Sequence, residues 1–340
     1  MAEFSTFPGQ PSDRMLAGEL LAGAGLGGVE SLRPVSQRSI TNVILEVATD
    51  RGQRYVYKRF AWPYDVPDEL NRRVKEQYLH GILRQRGVPV ARIVASENLH
   101  GYDVHLMEYV PGEVLGELAR DPSVRPALRG AWHEAGAAMA RIHGIEIGNR
   151  AGMISGERVQ PFPEGSWGAW FGWDLRKHTM EVAGQLPAET VRQLLELAER
   201  APAAVAIARP VLLHNDPHAW NILVVKTDLG YRLAAWLDWE FAWAGDRWWD
   251  LARMAIFRFA DIGSIPREFE AGYGARCSGR LRFDLYSACV ALWMFGQYLQ
   301  GDDQLPDTYA LARDYVSRLP ELAPVLLDRL RACDGPLPEI

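Results

Sequence analysis

Cysteine is scarce in this sequence: Cys277, Cys289 and Cys333 are all there is, with no C-x-x-C spacing among them. So odd and scattered a set argues against a disulfide framework and a structural zinc cluster. Long apolar runs are missing as well. The N-terminal MAEFSTFPGQPSDRM has no apolar core of the kind a secretory signal carries, and no segment approaches the length of a membrane span. The expectation is a cytoplasmic protein with no membrane partner. There is no basic stripe either, and a net charge of −6 argues against a nucleic-acid partner. Repeats and low-complexity segments are absent from the chain. What remains is bulk: 340 residues, 48% hydrophobic, with 12 Trp, enough to bury a full core and to fill two domains or lobes.

The most informative stretch runs from Val211 to Asp250. It reads VLLHNDPHAWNILVV, a polar turn, then LAAWLDWEFAWAGDRWWD. Apolar runs at Val211–Leu213, Ile222–Val225 and Leu233–Leu237 predict three short strands, with acids and an amide where they end. Asp216 and Asn221 lie five apart in the first loop, and Asp238 follows the third strand. A carboxylate to take a proton, then an amide and a second carboxylate to hold a divalent metal, is the apparatus of phosphoryl transfer. The spacing is that of the kinase catalytic loop H-x-D-x-x-x-x-N, with Asp238 in the place of the metal-binding Asp. Two rival readings exist. His214-x-Asp216-x-His218 is also a metal-ligand spacing on which a hydrolase or oxygenase could be built, but that leaves Asn221 and Asp238 without a role. A polar loop between buried strands is the bland alternative.

These residues carry a family resemblance. HNDPHAWN, LDWE and GDRWWDLA, in that order, resemble the motifs of the aminoglycoside phosphotransferase and choline kinase-like family. His214, Asp216, His218, Asn221, Asp238, Glu240, Gly245, Asp246, Asp250 and Ala252 fall on its pattern. The resemblance implies an α+β, protein kinase-like two-lobed fold: a small antiparallel-sheet N-lobe over residues 1–107 and a mainly helical C-lobe over 108–340. It implies Asp216 as the catalytic group, Mg²⁺ held by Asn221 and Asp238, and His214 and Asp250 in support. ATP, or GTP, is the implied phosphoryl donor, and His218 and Glu240 fall beside the acceptor.

The N-terminal half is read in the same light. Gly23-Ala-Gly25-Leu-Gly27-Gly28 satisfies G-x-G-x-x-G, but these glycines follow a predicted helix capped by Ser12 or Asp13 rather than a strand. Helix termination is the better account. Ile40–Ala48 and Gln53–Phe60 predict a hairpin. Family resemblance makes Ser36–Asn42 the loop over the nucleotide phosphates, yet SQRSITN contains no glycine, so Ser36, Ser39 and backbone amides would cradle phosphate. Lys58 resembles the phosphate-binding lysine of the third kinase strand. A helix over about Pro67–Arg86 carries its partner, Glu76 in preference to Glu69, flanking an apolar face of Leu70, Val74, Tyr78 and Ile82. By resemblance Met107 lies at the back of the nucleotide pocket, with the Glu108 carbonyl and Val110 amide pairing with a purine edge.

In the second half, Arg125–Ile145, Val191–Arg200, Leu281–Leu299 and Tyr309–Cys333 predict helices. His133 and His143 are expected to pack or cap. Trp167, Trp170 and Trp173 fall three apart and line one side of a helix, either as a packing seam or as an aromatic wall for an acceptor. Trp220, Trp239 and Trp243 add to the second possibility. From Gly301 to Ile340 eight acids face four arginines, a modest bias that would suit a cationic acceptor. Only six residues separate Asp238 from Gly245, too few for a phosphorylatable activation loop. The expectation is therefore a small-molecule O-phosphotransferase acting on an antibiotic of aminoglycoside, nucleoside or other glycosylated type. A kinase of choline, sugars or amino alcohols and a nucleotide-binding pseudokinase are the alternatives.

Overall fold

In the first half of the chain, strands with buried residues at alternate positions need one apolar cover, and an N-terminal helix provides it. The computed structural model describes residues 12–35, 42–60, 71–256, 265–277, 279–301, 306–333 and 335–338. These fall into two compact units: one takes the described residues up to Gln85 with Pro89–Pro111 and Ser155–Glu157, and the other takes the rest.

The first unit is a five-stranded antiparallel sheet. Its strands are β1 (Val29–Pro34), β2 (Asn42–Thr49), β3 (Arg54–Phe60), β4 (Ile93–Leu99) and β5 (Tyr102–Glu108), in the order β1-β2-β3-β5-β4. Helix α1 (Asp13–Gly23) starts at Ser12, whose hydroxyl accepts from the Met15 amide at 3.2 Å. Leu16, Ala17, Leu20 and Leu21 of α1 pack on Val47, Tyr55, Tyr57, Val104 and Leu106. Each large apolar side chain so buried contributes about 1.5–3 kcal/mol. The glycine-rich stretch after α1 is a helix exit, with Gly25 and Gly27 at φ 71° and 97°.

Helix α2 (Arg72–Gln85) lies over the same unit, and its buried residues are Lys75, Glu76, Leu79, His80 and Leu83. Val74, Tyr78 and Ile82 are only half-buried. The stripe read from the sequence therefore lies one step round the helix from the buried one, and Glu76 sits within the covered face, not at its edge. A polar residue takes that place because its partners, Lys58 and His105, lie there too. Residues 61–70, with the expected helix start and Glu69, lie outside the described residues, as do Ser36 and Ser39.

The second unit is mainly helical, with two small antiparallel sheets. β6 (Glu113–Val114), β10 (Ile222–Thr227) and β11 (Gly230–Trp236) form one, in the order β11-β10-β6. β7 (Gly152–Ser155), β8 (Arg158–Pro161), β9 (Val211–Leu213) and β12 (Trp243–Gly245) form the other, in the order β8-β7-β12-β9. The helices are α3 (Leu115–Leu118), α4 (Arg129–Ile142), α5 (Trp167–Glu181), α6 (Ala188–Ala204), α7 (Arg247–Ile256), α8 (Arg267–Tyr273), α9 (Leu281–Leu299), α10 (Pro306–Ser317) and α11 (Leu319–Arg331). The expected helix over Tyr309–Cys333 is thus two, broken at Arg318. Bare backbone at Gly168 lets α5 approach α6 closely, since a Cβ there would strike the Pro202 carbonyl. Among the described residues no helix is long and apolar enough to cross a membrane.

Candidate active site

The loop after β9 is held from beneath by Asp250 on α7. Its carboxylate accepts from the His214 amide at 2.7 Å and the Asn215 amide at 2.8 Å, and His143 Nε2 lies 3.1 Å away. Asp250 is fully buried. A buried carboxylate is tolerated there because charge-assisted bonds replace its water. His143, expected to pack or cap, is buried and bridges Asp250 and the Tyr273 hydroxyl, the latter at 2.8 Å.

Asn215 turns the chain with φ 63°, in the left-handed region that Asn tolerates. Its amide nitrogen donates to the Phe241 carbonyl at 3.1 Å and its oxygen accepts from Trp249 Nε1 at 2.8 Å. The following residue, Asp216, is thereby aimed. Its Oδ2 accepts from Asn221 Nδ2 at 3.1 Å, with His218 Nε2 at 3.2 Å, and its Oδ1 has Arg253 Nη2 at 3.9 Å. Burial alone would raise the Asp216 pKa, but the charge and hydrogen bond of His218, then Arg253 and His214, hold it well below the usual carboxylate range. The group is charged at neutral pH.

His214 settles one rivalry. Its Nε2 donates to the Leu237 carbonyl at 2.8 Å and its Nδ1 accepts from the Asp216 amide at 3.3 Å, an assignment that follows from the partners. Burial lowers its pKa, so the ring is neutral. With both nitrogens occupied it is no metal ligand, and the H-x-D-x-H metal reading loses its first member. His214 braces the segment that leads to Asp238.

That segment runs beside Asn221. β10 and β11 pair Ile222 with Trp236, and the Leu237 amide donates to the Asn221 carbonyl at 2.9 Å. Asp238 follows at once, in the left-handed region at φ 61°. Such a conformation costs a non-glycine residue about 1–3 kcal/mol and is found where a side chain must be aimed. Asn221 Nδ2 is spent on Asp216, so what Asn221 could offer a cation is its amide oxygen, and what Asp238 could offer is a carboxylate. These are hard oxygen donors of the kind Mg²⁺ takes. Among the described residues no three His, Cys, Asp or Glu side chains gather as a metal cluster. Two protein oxygens nevertheless fit Mg²⁺, which completes its shell with phosphate and water.

In the first unit, Lys58 Nζ lies 2.7 Å from Glu76 Oε1, and both are buried. His105, opposite Lys58 in β5, lies 3.6 Å from the other Glu76 oxygen and packs edge-on to Phe60. Burial, reinforced by Lys58, pushes the His105 pKa well down, so it stays neutral. Met107 is half-buried at the end of β5. The Glu108 amide donates to the Arg92 carbonyl at 2.9 Å, and its carboxylate accepts from the Arg92 amide at 2.8 Å. Val110 is half-buried just beyond.

The tryptophans correct an expectation. Trp167 and Trp170 are 2% and 5% exposed, their rings packed with Phe162, Trp243, Trp249 and Tyr286. Only Trp173, at 47%, faces outward. Three-residue steps drift back about 60° each along a helix, so the third ring leaves the covered face. Trp239 is fully buried against His214, and Trp220 lies over Gly116 with the Arg120 guanidinium 5.3 Å from its ring. The half-buried Trp243 lies edge-on to Phe162. Glu240 is 1% exposed. Trp167, Trp170 and Trp239 thus take the packing reading, whereas Trp173, Trp220 and Trp243 keep part of their surface open.

A buried hub went unseen in the sequence. Asp246 caps the start of α7 through the Trp248 amide at 3.1 Å, and its other oxygen takes Arg282 and Tyr286 of α9. Tyr286 in turn accepts from Trp167 Nε1 at 2.7 Å. The neighbouring Gly245 has no room for a Cβ, which would enter the Trp167 ring.

With this geometry the comparisons agree. A model of the phosphotransferase enzyme family matches residues 31–286. The chain belongs to that family. No curated protein sequence matches it. Among solved structures, this phosphotransferase resembles a protein from Thermobifida fusca YX-ER1 assigned as a fructosamine-3-kinase, at 19% identity over 90% of this chain and 98% of that one, TM-score 0.55. It also resembles the macrolide 2′-phosphotransferase of Brachybacterium faecium, at 17% identity over 87% and 97%, TM-score 0.53. A third is a single-residue variant of aminoglycoside 2′-phosphotransferase-IIIa in complex with GDP, at 16% identity over 94% and 98%, TM-score 0.55. These likenesses fix the fold as protein kinase-like.

Proposed function

We propose that this phosphotransferase moves the γ-phosphoryl group of ATP or GTP to a hydroxyl of a small molecule in the cytoplasm, and that the acceptor is an antibiotic. One observation carries the chemistry: a charged Asp216 whose Oδ2 is fixed by Asn221 and His218, beside a loop held by Asp250. So weakly basic a carboxylate orients the acceptor hydroxyl and receives its proton late, which suits a loose transition state. Asn221 and Asp238 would hold Mg²⁺, which when bound neutralises phosphate charge. Glu76 keeps the Lys58 ammonium extended so that its charge can meet phosphate oxygens. The Glu108 carbonyl and Val110 amide would meet the purine.

The antibiotic acceptor is supported by the likeness to the macrolide and aminoglycoside enzymes. The likeness to the Thermobifida fusca protein assigned as a fructosamine-3-kinase favours the second reading, a metabolite kinase. An ADP-release screen across aminoglycosides, macrolides, nucleoside antibiotics, choline, fructosamines and simple sugars decides between them. Turnover with an antibiotic is expected. Turnover only with choline, a fructosamine or a free sugar replaces the first reading with the second.

A further inference from the structure

The two oxygens of Asp216 are not equivalent. Oδ2 is taken by the Asn221 amide at 3.1 Å and approached by His218 at 3.2 Å. Oδ1 has Arg253 Nη2 at 3.9 Å, within ion-pair reach but beyond hydrogen-bond distance. Arg253 itself comes from α7, three residues after the Asp250 that holds the loop, and is 8% exposed. Its guanidinium lies over the Trp293 ring of α9, 4.7 Å from the centroid. A planar, always-charged group stacked on an indole has few other places to go. Asp174 of α5 and Asp250 also act on its charge, so acids from three elements bear on this guanidinium.

We propose that Arg253 is a positioning residue for phosphoryl transfer, fixing the Asp216 carboxylate so that Oδ1 is the oxygen presented to the acceptor hydroxyl. This rests on the reading of Asp216 given above. A guanidinium in hydrogen-bond contact would occupy Oδ1 and compete with the acceptor. At 3.9 Å it supplies attraction without taking the lone pair. Trp293 keeps it from closing that gap, and Asn221 keeps the carboxylate from turning round to meet it. The acceptor hydroxyl then finds one open oxygen in a fixed direction, and an error of orientation there costs rate far more than binding.

The test compares Arg253→Met, Arg253→Lys and Trp293→Phe in the full chain. ADP release is followed at saturating ATP with the acceptor found by screening and also with water as acceptor, and nucleotide affinity is measured by calorimetry. Arg253→Met is expected to lower kcat about tenfold or more, with nucleotide Kd and acceptor KM within about twofold. Arg253→Lys should recover part of the rate, because charge returns without the planar stack, and Trp293→Phe should show a smaller loss in kcat alone. A crystal structure of Arg253→Met should show the Asp216 carboxylate turned away from Asn221. Wild-type kcat in Arg253→Met, or an Asp216 carboxylate unmoved in its structure, overturns the proposal. If Arg253→Met does not fold, an Arg253→Lys enzyme with kcat lowered several-fold at unchanged nucleotide Kd supports it, whereas wild-type kcat in Arg253→Lys, or a parallel loss of kcat and nucleotide affinity, overturns it. A wild-type protein that binds no nucleotide and releases no ADP defeats the phosphotransfer reading instead.

Discussion

The two units hold their functional charges by different means. In the first, Lys58 is held through its side chain: a buried ion pair of 2.7 Å with Glu76 joins β3 to α2, with neutral His105 standing by. In the second, Asp216 is held at one remove, because Asp250 grips the backbone beneath it while Asn215, Asn221 and His214 fix the turn. A side chain aimed through an ion pair loses some of its aim when that pair is broken. Where the backbone is gripped as well, the side chain keeps its place until the loop itself gives way, even if its carboxylate can still rotate. Substitutions in the first unit should therefore act on nucleotide binding directly, whereas those around Asp216 should divide cleanly between chemistry and stability.

The largest effect is expected at Asp216. Asp216→Ala should lower kcat by roughly 10²-fold or more with nucleotide affinity nearly unchanged. Turnover close to wild type would remove Asp216 from the mechanism. Glu76→Ala is the matching experiment in the first unit. It leaves Lys58 buried without its carboxylate, at a cost of about 3–5 kcal/mol in stability, and nucleotide affinity should fall about tenfold. Equal affinity for nucleotide in Glu76→Ala and wild type would show that Lys58 does not depend on Glu76 for its aim.

Asp250→Ala tests the indirect grip. It strips acceptors from the His214 and Asn215 amides and from His143, all buried. Unmade bonds to buried donors cost about 1–3 kcal/mol each, so urea titration should show a loss of about 3 kcal/mol or more. If the protein keeps its stability and loses only kcat, Asp250 acts on the reaction and not on the loop.

How the two units read in the sequence follows from the same difference. Asp216, Asn221 and Asp238 fall within one short stretch, so their spacing alone suggested a common site, and the resemblance added Asp250 from the same stretch. Lys58 and Glu76 lie 18 apart on different elements, and only the resemblance paired them. Contacts between distant segments leave no spacing at all. Nothing near Asp246 announces Arg282, and His143 lies 107 residues before Asp250. Side-chain direction was the other loss, since a run of tryptophans three apart names a helix without saying where its buried face ends. Trp167→Ala should cost about 3–5 kcal/mol, as a large buried ring does, and Trp173→Ala within about 0.5 kcal/mol. A tenfold rise in acceptor KM in Trp173→Ala would make it a member of an aromatic acceptor wall.

The smallest effect is a pH dependence of stability on α5. His178 is buried with Nε2 3.1 Å from Asp174 Oδ1 and Nδ1 2.7 Å from Glu181 Oε2. Burial opposes its protonation, but the two carboxylates outweigh that, and its pKa is raised above the ordinary value of 6.5. A raised pKa in the folded state means that folding takes up protons. The stabilisation is complete below the unfolded value and fades as pH rises through the folded one. His178→Gln keeps the size of the side chain and removes the titration. The melting-temperature gap between wild type and His178→Gln should be widest near pH 5.5, about one pH unit below the free imidazole value, and should narrow steadily as the pH passes about 7 and above. A gap that stays flat from about pH 5.5 to 9 would mean that His178 holds its place as a neutral ring and that the α5 acids are balanced by another group, with Arg253 the nearest candidate.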